Sequence, residues 1–486
     1  MKQTGILLAI SSLPSSWGIG DLGSQAYQWL DMLHENGINL WQILPMNPLG
    51  YGNSPYQPYS SFAGDEVYLS LERLQQEGLL ENLPTPCENL QQRVNYDEVR
   101  HKKETWLRKA FEAFVPDADY EEFCSRDWLW PYCAFRAFKQ ANGGVCWTEW
   151  NETHKQWRVG SAYPTPEIEK EARYHASVQY QFWKQWRDVL NYAHEKQISI
   201  MGDVPFYVGL DSADVWAQQE AFLLDEKGYP QFVAGVPPDY FSATGQRWGN
   251  PVYDWDYLQK TGFEFWKKRI GYCASMMDMV RIDHFRAFDT YWKIPASCPT
   301  AIEGEWLEAP GYEVLDTLFE SIPGLHLVAE DLGDLRPQVL TLRDHYHLKG
   351  MKVFEFVFDF NGRYAKDTGE VKENQILYTG THDNATLKEW YDSLTTAQKR
   401  KLRRWLSQKG FANGDVCERI LHTVLADQAN VVILPLQDVM KLPGQARMNV
   451  PGTVGSPNWE WRMTEMQTAQ KSLRALKRYI KKRGRL

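Results

Sequence analysis

Eight short apolar runs are spaced along the chain, at residues 5–10, 39–44, 198–203, 279–283, 326–330, 351–356, 375–379 and 430–434. Most are continuous rather than alternating, as strands covered on both faces are. Helical periodicity falls between several of them, at 24–36, 262–277, 312–321, 337–346 and 396–408. Parallel strands need such crossovers, so strand–helix alternation carried to eight predicts an α/β fold, the (β/α)8 TIM barrel. The chain has 486 residues, well beyond the roughly 250 of a plain barrel. A single catalytic barrel over 1–486 is therefore expected to carry insertions.

Two connections exceed ordinary loop lengths. Between the second and third runs, helical spacing links Trp106, Ala110, Phe111 and Phe114, then Tyr132, Phe135 and Phe138, then Trp183, Trp186 and Leu190. An inserted helical subdomain is expected over about 65–195, after strand two. A second insertion is expected over about 205–260, with AGVPPDYFSATGQRWGNP at 234–251 as an active-site loop. Its Gly and Pro argue against regular structure, and it carries Tyr240, Phe241 and Trp248. Both insertions follow strand C-termini, where barrels build functional loops. The tail KSLRALKRYIKKRGRL is basic, but Leu473, Leu476 and Ile480 recur at helical spacing. A docked helix with a charged outer face is expected there, not a polyanion-binding arm.

The formal charge of −9 argues against nucleic acid or an anionic membrane as partner and suits a neutral substrate. Seven Cys at 87, 124, 133, 146, 273, 298 and 417 include no CxxC pair, so neither a disulfide framework nor a zinc site is indicated. The N-terminal run LLAI is too short for a signal peptide or a membrane helix. A cytoplasmic enzyme, a monomer or weak homo-oligomer, is expected. Aromatic residues make up 14% of the chain; most belong in a large core, while some suit stacking on the C–H faces of sugar rings.

Barrel active sites are built at strand C-termini. There the sequence places Asp203 (MGDVPF), Asp283 (VRIDHF), Glu330 (VAEDLG) and Asp383 (TGTHDN). One strand-end acid is commonly a cap or an ion-pair partner, but four on four strands converge on one mouth. Converging carboxylates suit a metal or acid–base work, and His284 and His382 beside them leave this open. Glycoside cleavage needs one carboxylic acid to protonate the leaving oxygen and one carboxylate to meet the oxocarbenium-like carbon. Arg281 lies two residues before Asp283, hence on the same strand face, and is expected to hold Asp283 ionised as a nucleophile. Glu330 has no such neighbour before it, and Asp331 would raise its pKa, which suits the proton donor.

The motifs RIDHFR, VAEDLG and GTHDN resemble those of the α-amylase clan. With WQILPMNPLGYGNSPYQPYSSFAG, GDVPFYV, GVPPDYFSATGQRWGNP, LPLQD and RMNVPGT, the chain from 11 to 453 resembles glycoside hydrolase family 77, the amylomaltase or disproportionating-enzyme branch. The resemblance implies a 4-α-glucanotransferase using no organic cofactor and no metal, on a barrel without a C-terminal β-domain. It implies Asp283 as nucleophile, Glu330 as general acid/base and Asp383 as the carboxylate that holds substrate hydroxyls. Arg281, His284, His382 and Asp203 would contact the sugar, with Tyr51 and Tyr56 stacking nearby and Trp248, Ser54 and Asn384 also in the substrate groove. Donors and acceptors would be α-1,4-glucans and glucose; the alternative is an α-amylase-type hydrolase. Ala287 stands where the family usually has Gly, and Ala385 where a second Asp is common.

GIGDLG at 18–23 matches the dinucleotide pattern G-x-G-x-x-G. SSLPSSW separates it from its strand, and the next strand ends in Leu44–Pro45 rather than an acid. A glycine-rich turn leading into the first barrel helix is the better reading.

Overall fold

The computed structural model describes residues 2–86, 92–238, 242–333, 335–357 and 374–485. Its strands, in chain order, are β1 (Gln3–Leu7), β2 (Leu40–Gln42), β3 (Ser199–Val204), β4 (Phe232–Val236), β5 (Gln246–Pro251) and β6 (Met279–Ile282). They continue with β7 (Thr290–Pro295), β8 (Glu305–Glu308), β9 (Leu327–Ala329), β10 (Gly350–Val353), β11 (Gln375–Tyr378) and β12 (Val431–Pro435). Each of the eight apolar runs contributes one parallel strand, in the order β10-β11-β12-β1-β2-β3-β6-β9. The ends of that order meet: Val328 bridges Lys349 in parallel, and Ala329 N–H donates to Lys349 O at 2.8 Å. This is the closed (β/α)8 barrel. The run at 351–356 is strand only to Val353, after which Phe354–Val357 makes a helical turn.

The connecting helices follow their apolar stripes. Ser24–Glu35 buries Ala26, Trp29, Leu30 and Leu33, an i, i+3, i+4, i+7 pattern facing the sheet. Gly23 caps it, its N–H held by Asp21 Oδ1 at 3.0 Å. A side chain at Gly20 would place Cβ 1.9 Å from Ile10 O. The GIGDLG glycines thus serve a tight turn into the first barrel helix.

Between β2 and β3 lie the helices Tyr96–Ala113, Ala118–Cys124, Leu129–Ala141 and Pro166–Glu195. Tyr132, Phe135 and Phe138 are buried, as expected. The helix Pro166–Glu195 begins on a Thr165 cap with Pro166 in its first turn. Its second half packs on the barrel: Trp186 is fully buried and donates its indole N–H to Met276 O at 2.8 Å. One helix therefore belongs both to the insertion and to the barrel.

The expectation of an irregular segment at 234–251 is corrected. β5-β4-β7-β8 form a four-stranded antiparallel sheet outside the barrel. Gly does not break it, because the register shifts between Val233 and Gly235 and a Cβ at Gly235 would meet Gln246 O at 2.2 Å. The glycine permits a bulge and a close crossing. Pro251 ends its strand, where the lost N–H donor matters least. Tyr240 and Phe241 lie outside the described residues, as does Cys87. The other six Cys are free thiols.

The basic tail forms the helix Met466–Lys482 and buries Leu473, Leu476 and Ile480 as expected. Among the described residues no helix is long and apolar enough to cross a membrane.

Candidate active site

The C-terminal ends of β3, β6, β9 and β11 bring up the four expected carboxylates. Asp203 on β3 stands opposite Arg281 on β6 in the strand register. Arg281 Nη1 donates to both Asp203 oxygens, at 2.6 and 2.7 Å, and lies 3.1 Å from Asp283 Oδ1. Asp283 directly follows β6, its N–H donating to Val204 O at 2.9 Å. Glu330 directly follows β9, its N–H donating to Ile282 O at 3.0 Å. The Glu330 carboxyl is aimed by two backbone donors, His284 N–H on Oε2 at 2.9 Å and Leu332 N–H on Oε1 at 3.0 Å. His284 has a left-handed backbone, φ 54°, a conformation that costs a non-glycine residue about 1 kcal/mol or more. That backbone carries the N–H which positions Glu330.

The electrostatics correct part of the sequence reading. Burial is the largest influence on Asp283 and raises its pKa; Arg281 lowers it, while Asp203 and Asp383 raise it further, to about 6. Arg281 does not hold Asp283 far down, because its guanidinium is shared with the more intimately bonded Asp203. Burial likewise lifts Glu330, to about 7, with Arg281 lowering and Asp283 raising it. Glu330 thus does feel a cation, contrary to expectation. Asp331 raises the Glu330 pKa as expected, but least of these influences, since its carboxylate is turned to Arg343 and to Met351 N–H, the latter at 2.6 Å. The order survives the correction: the proton sits higher on Glu330. His284 is pushed down to about 3, by burial and then by Arg286, and is neutral at ordinary pH.

Asp383 lies beyond β11 and is held from the opposite side of the mouth. Asn449 Nδ2 donates to its Oδ1 at 2.6 Å, and Arg447 Nη2 donates to its main-chain O at 2.7 Å. His382 Nε2 is 3.4 Å from Asp383 Oδ2 and 2.9 Å from the Tyr56 hydroxyl. That hydroxyl also reaches Asp203 Oδ2 at 2.8 Å. Tyr56 has one proton and Asp203 only accepts, so the proton goes to Asp203 and His382 donates from Nε2. The His382 ring packs against Tyr56 and Trp459, with centroids 5.2 and 5.8 Å away, and those two rings also touch each other, centroids 5.6 Å apart.

The remaining expected residues divide. Trp248 stands edge-on to His284, centroids 4.8 Å apart. Ser54 Oγ accepts Tyr56 N–H at 3.3 Å and shapes the turn that presents Tyr56. Asn384 bonds back onto Thr381, holding the turn around His382 and Asp383. Tyr51 is 78% exposed and makes no ring contact with this cluster among the described residues. Ala287 is accommodated inside the core of the turn after Asp283, fully buried. Sequence reasoning missed Asn449, Arg447 and Trp459 as site residues. Arg447 and Asn449 lie in the RMNVPGT motif, which has no strand end to mark it, and Trp459 lies beyond that motif.

The arrangement offers two carboxyls on neighbouring strand tips, one guanidinium whose charge bears on both, and a third carboxylate across the mouth. This is equipment for paired acid and nucleophile work at neutral pH. Among the described residues no group of three or more His, Cys, Asp or Glu side chains is arranged to hold a metal ion.

A family model described as 4-alpha-glucanotransferase matches residues 8–468. A 4-alpha-glucanotransferase from Synechocystis sp. is 42% identical over 484 residues, covering 95% of this chain and 94% of that protein. One from Thermus thermophilus is 41% identical over 478 residues, covering 95% of each. Among solved structures, the chain is similar to the amylomaltase from Streptococcus agalactiae in complex with acarbose. That likeness has a TM-score of 0.92 at 33% identity and covers both chains completely.

Proposed function

The chain belongs to the 4-alpha-glucanotransferase family, glycoside hydrolase family 77, and from that premise we propose that Asp283, Glu330 and Asp383 move α-1,4-glucan segments between chains. Glu330 gives its proton to the glycosidic oxygen while Asp283 attacks the anomeric carbon. The donor's reducing-end piece leaves, and its other part remains as a glycosyl ester on Asp283. Glu330, now a carboxylate, takes the proton from the 4-hydroxyl of an arriving glucan or glucose, and that oxygen displaces Asp283. Two inversions leave the α-configuration retained.

The observation that carries this reading is the pair itself. Two half-buried carboxyls on adjacent strand ends, joined through His284 N–H on Glu330, have pKa values raised unequally, about 6 and about 7. At neutral pH the lower one is largely the nucleophile and the higher one retains a proton. Asp383, braced by Asn449 and His382, supplies an acceptor for sugar hydroxyls that strengthens as the ring flattens. Arg281, Asp203, Tyr56, His284 and Trp248 line the cleavage point in this reading, while Tyr51, Ser54 and Asn384 shape its rim. The helices over about 65–195 and the second insertion over about 205–260 are additions to one barrel that wall the groove. Maltooligosaccharides, starch or glycogen chains are the expected donors, and the cytoplasm the expected compartment.

The test is to separate the two chemical steps. Glu330→Gln, given an α-maltosyl fluoride whose leaving group needs no acid, should accumulate a covalent maltosyl adduct on Asp283, visible by mass spectrometry of peptides. An adduct elsewhere, or unchanged turnover of maltotriose by that variant, would refute the assignment.

A further inference from the structure

A second group of acids lies behind the turn that carries His382 and Asp383. Glu355 stands in the helical turn Phe354–Val357, just past β10. Its Oε2 accepts from Asn384 Nδ2 at 3.2 Å, and its Oε1 is buried with no hydrogen-bond partner among the described residues. The orientation of Asn384 is fixed independently. Its Oδ1 accepts from Thr381 N–H at 2.8 Å and from the Thr381 hydroxyl at 2.9 Å, so its amide nitrogen is the atom turned to Glu355. The Thr381 hydroxyl in turn accepts Asp383 N–H at 3.2 Å. Glu355, Asn384, Thr381 and Asp383 form one chain of hydrogen bonds, from the end of β10 to the backbone that carries the third carboxylate of the site.

Among the described residues, two acids bear on Glu355 with a charge of its own sign. Asp438 comes from the helix Leu436–Val439 and Glu389 from the helix Leu387–Ser393. Asp438 has its own donors, Thr379 Oγ1 at 2.6 Å and Leu387 N–H at 2.7 Å. Among the described residues Arg447 is a cation that bears on Glu355, but its Nε goes to Asn449 O and its Nη2 to Asp383 O, each at 2.7 Å. An ionised Glu355 would leave a buried, charged oxygen with no donor among the described residues and two other acids nearby, which costs far more than a neutral carboxyl in the same place.

We propose that Glu355 is a positioning residue that acts as a neutral carboxylic acid, taking the Asn384 amide N–H and so fixing the turn that presents His382 and Asp383. Burial first, and then the charge of Asp438, push its pKa up to about 9, in accord with that state. The inference rests on the role given to Asp383 above, and its test has one arm that does not.

That arm is thermal stability against pH for the full chain and Glu355→Gln. Folding raises this carboxyl's pKa above its unfolded value, so the folded state keeps a proton that the unfolded state sheds. The wild type should lose stability as pH rises through the window between the ordinary carboxylate range and about 9. Glutamine cannot ionise. The advantage of Glu355→Gln in Tm should therefore grow by about 3 °C between about pH 5.5 and about pH 8.5. A difference independent of pH would overturn the neutral state. The second arm is kinetic. Glu355→Ala removes the partner of Asn384 and should lower kcat for maltotriose about tenfold, while Glu355→Gln restores it to within about threefold. An unchanged kcat in Glu355→Ala, measured well below its Tm, would overturn positioning. Failure of the wild type to transfer glucan at all would sink the functional reading instead, and the Tm comparison would still decide the protonation state.

Discussion

Arg281 is the residue on which the site's electrostatics turn. The sequence places it one strand period before Asp283, and that neighbourhood is real at 3.1 Å. Its sharing with Asp203 depends on the β3–β6 register, which no local pattern reports, and burial together with this sharing leaves Asp283 at about 6. A profile of kcat/KM against pH should therefore be a narrow bell. Activity falls below about 6 as Asp283 gains a proton, and above about 7 as Glu330 loses one. Asp203→Asn removes a negative charge near Asp283 and releases the guanidinium to it. Both effects lower the Asp283 pKa, so the acidic limb should move to lower pH even though overall activity drops with the loss of the Tyr56 contact. An acidic limb that stays fixed or moves up would contradict the shared-cation account. Asn449 and Trp459 were not legible as site residues because they arrive from the segment after the last strand, where neither periodicity nor strand-end position marks them.

The elements divide by how strongly burial writes itself into sequence. Barrel strands are covered on both faces, so β9 and β12 are unbroken apolar runs and are readable. β4, β5, β7 and β8 belong to a small sheet with one partly open face, and β8 is mostly exposed. Their patterns are broken by Gly235, Gly249 and Pro251, residues that read as loop until the bulge they serve is visible. Gly235→Val should be the sharpest probe of that sheet. Its Cβ meets Gln246 O at 2.2 Å and Ile294 Cδ1 at 2.7 Å, and the displaced backbone of β5 carries Trp248. The expected outcome is a loss of roughly 1–3 kcal/mol in a denaturant melt, with KM for maltotriose raised more than kcat is lowered. A variant as stable as the wild type would show that the crossing is looser than described.

Over the whole molecule, the two chain ends are tied together beneath the barrel, on the side away from the acids. Arg485 is fully buried, with Nε on Leu425 O at 2.9 Å, Nη1 on Gln3 O at 3.2 Å, and Nη2 on Asp427 O at 2.8 Å and Ala429 O at 2.6 Å. One side chain thus joins the starts of β1 and β12 to the C-terminal helix. Arg485→Ala should cost roughly 2–4 kcal/mol of stability through the carbonyls it orphans, while kcat well below the Tm stays at the wild-type value. An equal Tm would mean water satisfies those carbonyls. The upper face carries the central claim, that a glycosyl group held on Asp283 passes to a sugar hydroxyl in preference to water. Incubation of the purified chain with maltotriose tests it most directly, with products separated and total reducing ends counted over time. Transfer predicts glucose together with longer maltooligosaccharides at a constant number of reducing ends; a steady rise in reducing ends without longer products would contradict it.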